Sequence, residues 1–201
     1  MKPERKLVSY LLLSIVWMSM AAIYPRPSGV SGGSLTVVAR QVYTGNIIYL
    51  GGRQGTTVTT FTVTIDSFNS DAEVQSLAET LKIGGQDALL KAITKEKRGT
   101  LRIGTDLARD INAAWLSEGP EGERKITALS ERLIGFSEAR RGARSLDYPF
   151  TFIELYMETD GKGEGGLIPA ARVQFKGGKN WEVENFGIYP ARLTHIRLRS
   201  K

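Results

Sequence analysis

The chain contains no cysteine. This excludes disulfides, thiolate nucleophiles and cysteine-ligated zinc or iron sites together, and it leaves stability to an apolar core. Histidine is nearly absent as well: His195 is the single copy, so multi-histidine metal centres are excluded and one ordinary candidate for a histidine general base remains. No low-complexity tract or internal repeat interrupts the 201 residues. Charge of one sign is only mildly in excess, with 27 Lys and Arg against 21 Asp and Glu, a net +6. Such a balance suits acidic surfaces, lipids or polyanions, but it lacks the dense basic clustering of a specific nucleic-acid footprint. No cofactor is expected.

What is present begins with the order basic, apolar, small. Residues 1–6 hold Lys2, Arg5 and Lys6 against Glu4, and residues 7–23 are free of charge. Ser19 and Ala21 fit the small-x-small rule, so residues 1–21 are expected to be a signal peptide removed after Ala21. The apolar run is a little short for a bilayer span of roughly 20 residues. An uncleaved anchor that tethers the protein to a membrane is the alternative; a lipoprotein anchor is excluded because no Cys follows the run. The Pro, Gly and Ser content of residues 22–34 predicts a flexible leader, and residues 35–201 a single domain.

Within that domain, period-two alternation predicts strands over 35–43, 58–65, 100–103, 110–117, 124–133, 149–158 and 167–175, with a last stretch, 180–200, broken at Gly187 and Pro190. The three final runs read as an antiparallel meander joined by the turns 160–166 and 176–179, both rich in Gly. Between the early strands, Ser70 and Glu73 form a capping box that opens a helix presenting Val74, Leu77, Ala78 and Leu81. A second short helix over 87–95 presents Leu89, Leu90 and Ile93, and Gly84 and Gly85 stop the first. Eight or nine strands with one helical insertion predict an α+β fold, predominantly antiparallel β, as a curved sheet or partial barrel with the helix packed on it.

Three stretches, 65–93, 146–165 and 183–197, resemble a group of small exported bacterial proteins with no assigned activity. The resemblance implies export and a single domain, and it carries no mechanism.

The candidate sites each compete with a plainer role. Residues 51–57 (GGRQGTT) look like a phosphate-cradling loop, but no Lys-Ser/Thr follows the last Gly and a Thr-rich strand stands where a helix should begin. Glu158, Asp160 and Glu164 suggest a calcium loop, yet Lys162 occupies the fifth position and Pro169 the twelfth, so a solvated turn is expected and no metal. Glu154, Glu182 and Glu184 lie in strands. Glu154 shares its face with Phe150, Phe152 and Tyr156 and is the carboxylate on which a cell-envelope hydrolase would rest. Arg192, His195, Arg197 and Arg199 are the binding candidates, joined by Lys201 and by Arg140, Arg141 and Arg144. A charged edge strand that resists intermolecular pairing is the competing reading of that run. The leading expectation is therefore an exported, non-enzymatic binding or scaffold domain of the bacterial cell envelope, periplasmic or extracellular. It would engage a protein or envelope component, attract anionic surfaces weakly, recognise no specific nucleic acid and keep no transmembrane segment once the signal is cleaved.

Overall fold

The computed structural model describes residues 40–52, 55–132, 147–177, 180–185 and 190–199, all within one compact unit, Val37–Lys201. The expected signal, leader and the arginines at 140, 141 and 144 lie outside the described residues, as does Lys201. No helix among the described residues is long and apolar enough to cross a membrane.

Alternation produces the first hairpin, β1 (Gln41–Gly52) with β2 (Gly55–Ile65). In β2, Phe61, Val63 and Ile65 are buried on one face, and Thr60 and Thr62 stand on the other. β3 (Gly99–Ile103) extends the hairpin and β4 (Arg109–Ile111) extends β3. β5 (Ala113–Glu118), β6 (Arg124–Glu131), β7 (Phe150–Met157) and β8 (Lys162–Gly177) follow as successive antiparallel neighbours. β9 (Asn180–Asn185) pairs with the distal half of β8, and β10 (Ala191–Arg199) returns to its proximal half and continues to β1. The order is β4-β3-β2-β1-β10-β8-β7-β6-β5, with β9 beside β8.

The expected α+β class and antiparallel sheet are thus found, with ten strands because the run over 110–117 divides at Asn112. This residue decides the curvature. β4 and β5 stand at opposite ends of the strand order, yet one residue joins them, so the sheet has to bend round until its ends meet. The ladder stays open there. Buried Asn112 bridges the gap: its N–H donates to the Leu129 carbonyl (2.9 Å), its Oδ1 accepts from Glu131 N–H (2.8 Å), and its Nδ2 donates to the Glu96 carbonyl (3.0 Å). Asn69 finishes the free edge of β5 in the same way, taking the Ala114 N–H on Oδ1 and giving its own N–H to the Ala114 carbonyl.

Curvature creates two cores. Tyr43, Ile47, Phe61, Ile126, Ile153 and Leu193 belong to the cluster that fills the concave side. On the convex side of β5 to β9, Trp115, Phe150, Phe152, Val173 and Trp181 form a second cluster beneath helix α1 (Asp71–Ile93). The capping box is present: Ser70 Oγ accepts from Glu73 N–H (3.3 Å), and the Glu73 carboxylate accepts from Ser70 N–H (2.6 Å) and from Arg98 (2.6 Å). The two expected helices are the two limbs of α1, which leaves helical geometry at Gly85 (φ 70°, ψ −162°), the stop that Gly84 and Gly85 predict. Val74, Ala78, Leu81, Leu89 and Ile93 are buried as expected, but Leu77 is only half-buried. Beyond the kink, Gln86 pairs with both backbone groups of Val173 (2.8 and 3.1 Å), replacing a β7 residue where that strand has not yet begun.

The Ser70 N–H, then the Ser70 hydroxyl and Arg98, hold the Glu73 carboxyl below the usual carboxylate range. A folded-state pKa depressed in this way contributes stability above the unfolded pKa, and the contribution disappears as pH falls through the folded value. Glu73→Gln is therefore expected to lower the melting temperature near pH 7 and to match the parent in strong acid. A deficit independent of pH, followed by circular dichroism, would contradict it.

Two details of the expected meander change. The chain over 163–166 is strand, not turn: β8 starts at Lys162, and the tight turn is confined to residues 158–161. Gly163 and Gly165 are required because a Cβ at either would collide with the β7 backbone carbonyls of Tyr156 and Glu154. β10 does not extend the meander past β9 either. It inserts between β8 and β1.

Candidate anion-binding face

β10 carries the basic run, and its placement corrects the edge-strand reading. With β1 on one side and β8 on the other, β10 is a central strand, so its charges do not guard an edge. Arg192, His195, Arg197 and Arg199 are all exposed, whereas Leu193 and Ile196 are buried in the concave core. Strict alternation cannot bury residues three apart. The register slips between Leu193 and Ile196 against β8, and between the partners of Thr44 and Asn46 in β1, so β10 contains one extra residue relative to both neighbours. His195 takes up the bulge with φ at 53°, and its Nδ1 lies 3.3 Å from Thr194 Oγ1. The bulge explains why His195 faces solvent with Arg197 and not the core with Leu193. Gly45 accommodates it: a Cβ there would sit 2.7 Å from the Thr194 carbonyl and 2.9 Å from the Phe61 ring.

The neighbours of β10 extend this face. The register aligns Arg197 with Thr44, Thr44 with Thr62 and Thr62 with Arg102, a row crossing β10, β1, β2 and β3. Adjacent rows hold Arg199 beside Val42, and Arg192 beside Ile48. These four adjoining strands contain no Asp or Glu, while Arg102, Arg192, Arg197 and Arg199 are exposed on them. Helix α1 packs on the other half of the sheet, and no helix among the described residues covers this half. No local motif marks Arg102, Thr44, Thr62 or Asn46 as part of a site. The available signal was the absence of carboxylates over 41–65 and 99–103.

Glu164 borders the face, and a concavity of about 380 Å³ beside the bulge is lined by Glu158, Lys162, Glu164, Thr194, His195 and Arg197. Asp160 is engaged with Lys162, which supplies hydrogen bonds from both Nζ (2.5 Å) and N–H (2.9 Å); these, with the Arg197 charge, hold the Asp160 carboxyl low. The acidic hairpin is therefore tied to its own lysine, and no group of three His, Asp or Glu that could hold a metal occurs among the described residues.

Glu154 lies elsewhere, on the convex side of β7. Its carboxylate is 2.5 Å from Lys125 Nζ and accepts from the Tyr156 hydroxyl (3.0 Å). Burial, then the Glu154 charge, pushes the Tyr156 phenol up, so this cluster reads as a satisfied ion pair capped by a neutral tyrosine. Glu182 pairs with Lys176 (3.2 Å) and Glu184 accepts from Tyr148 (2.6 Å), which leaves the three strand carboxylates in separate contacts. A second concavity, about 440 Å³, opens at the end of the curved sheet over Tyr43, Met157 and Leu198, with Glu118, Glu123, Arg124 and Glu158 at its rim. Arg124 there is held by the Gln41 side chain (3.0 Å) and lies 5.8 Å from the Phe68 ring centroid. Comparison of the chain with protein-family models, with curated protein sequences and with solved structures finds no match.

Proposed function

We propose that the protein is an exported, non-enzymatic binding domain of the bacterial cell envelope, and that it takes an anionic envelope component on the outer face of β3, β2, β1 and β10. The observation that carries this reading is the segregation of charge: four neighbouring strands with exposed arginines and no carboxylate. Hydroxyl and amide groups between the guanidiniums supply hydrogen bonds to phosphate or carboxylate oxygens. The filled concave side supports binding at a surface over chemistry in a cleft. Tyr43, Tyr49 and Phe61 of these strands all pack on the concave core, so the face lacks the stacking aromatics of a single-strand nucleic-acid platform. The basic, apolar, small order of residues 1–21 supports export.

Retention on anionic liposomes across a salt series tests it. Binding is expected to fade as salt rises, because exposed charges are screened beyond a Debye length of about 8 Å at physiological ionic strength. At about 1 kcal/mol per guanidinium near an anionic surface, Arg192→Gln, Arg197→Gln and Arg199→Gln combined should weaken binding at low salt by about a hundredfold. Undiminished binding by the triple variant would overturn the reading, and an effect of base sequence on retention by single-stranded DNA would replace it with nucleic-acid recognition.

A further inference from the structure

The pairing of β2 with β3 ends at Phe61 and Ile103, so residues 55–60 of β2 continue as a strand with β1 on one side and no strand on the other among the described residues. The Thr60 carbonyl on the open side accepts from Gly104 N–H (2.8 Å). Since backbone groups alternate along a strand, the N–H and C=O of Val58 and Thr56 point to that same open side. An unpaired edge of this kind is a template for another strand, and proteins ordinarily blunt it with charge, proline or a bulge. Residues 55–60 have neither charge nor proline, and the one register shift here, between Tyr49 and Gly52, places its extra residue in β1 and not in β2. Instead Val58 is 59% exposed, with Leu50 at 46% beside it and half-buried Ile48 opposite it in β1.

The sequence of this edge identifies its partner. Residues 56–60 read Thr-Thr-Val-Thr-Thr, which is the same in both directions about Val58. We propose that two copies of the chain pair through this edge, antiparallel and two-fold symmetric about Val58. Val58 then exchanges both backbone hydrogen bonds with Val58 of the partner subunit. Thr57 stands opposite Thr59 of the partner subunit, and Thr56 opposite Thr60 of the partner subunit. The Thr60 N–H reaches the Thr56 carbonyl while its own carbonyl stays with Gly104. Every facing pair is Val–Val or Thr–Thr, combinations that favour pairing, and no charge opposes its like. β9 is the instructive contrast: among the described residues it too pairs on one side only, but a two-fold about Val183 would set Glu182 against Glu184 of the partner subunit. Because the axis stands perpendicular to the sheet, both arginine-bearing faces emerge on the same side, and a two-headed surface results. Pairing over so short a segment falls below the about 1,200 Å² of stable interfaces, so the dimer belongs to the weak class.

Trapping suits a weak dimer, and the chain offers no competing thiol. Val58→Cys in the full chain places two sulfurs across the axis. The paired Cα atoms would be about 5.5 Å apart, inside the range a disulfide spans. Oxidation followed by non-reducing electrophoresis should yield a covalent dimer at least tenfold above that of Glu182→Cys on the β9 edge. Adding Thr56→Lys with Thr60→Lys, which sets like charges opposite each other, should return the yield to the Glu182→Cys level. Adding Thr56→Lys with Thr60→Glu, which sets opposite charges together, should keep it. Equal yields from the two edges, no dimer from Val58→Cys, or indifference to the Lys/Lys pair would each overturn the proposal.

Discussion

Trp115→Ala is expected to cost about 3 to 5 kcal/mol, read as a fall in the urea midpoint at unchanged slope. Trp115 has no solvent exposure and sits where β5 meets α1, its ring centroid 5.3 Å from that of Trp181, which in turn stacks edge-on against Phe175 at 5.6 Å. Truncation opens a cavity between two elements held together by that cluster. Collapse is opposed because α1 is pinned in its first turn by the Arg98 contact to Glu73 and just past its kink by the Gln86 pairing with Val173. The indole N–H of Trp115 meets no acceptor among the described residues. Trp115→Phe thus deletes volume without deleting a hydrogen bond, and it should cost far less than the alanine change. Equal losses from the two variants would show that the ring is held by its N–H and not by packing.

Asn112→Ala is expected to cost about 1 to 3 kcal/mol by a different route. Few packing atoms are lost, but the bonds to Glu131 N–H and to the Glu96 carbonyl, both on exposed residues, disappear, at about 0.5 to 1.5 kcal/mol each. Those two bonds join the end of β6 to the turn before β3 across the place where the sheet bends onto itself. Hydrogen exchange should therefore accelerate first at Glu131 and its neighbours, ahead of the hairpin β1–β2. Asn112→Asp retains an acceptor for Glu131 N–H but loses the donor to Glu96 and buries a charge, so it should not rescue the loss at neutral pH. Protection at Glu131 equal to the parent would show that the bend is held by the apolar core alone.

Local rules sufficed for much of this. The Ser70–Glu73 box, the helical spacing of Val74, Leu81 and Leu89 and the alternation through Phe61, Val63 and Ile65 are short-range patterns, so class, strand runs and helix were legible in the residues. So was the exposure of Arg192, Arg197 and Arg199. Three features were not legible, each for a physical reason. Pairing partners are chosen by burial over the whole molecule, which is why β10 sits between β1 and β8 and its charges lie on a central strand. One extra residue in β10 reverses which side chain faces the core, and periodicity assumes there is none; the φ of His195 and the space at Gly45 show how the chain accepts it. The glycines at 163 and 165 resemble turn residues until the neighbouring strand is present to exclude a Cβ. Composition alone determined the freedom from cysteine chemistry and the mild positive charge. Only the tertiary structure decided that segments 41–65, 99–103 and 191–199, distant in sequence, form one face without a carboxylate, because hydrogen-bonded registers and not sequence neighbours determine which charges share a surface.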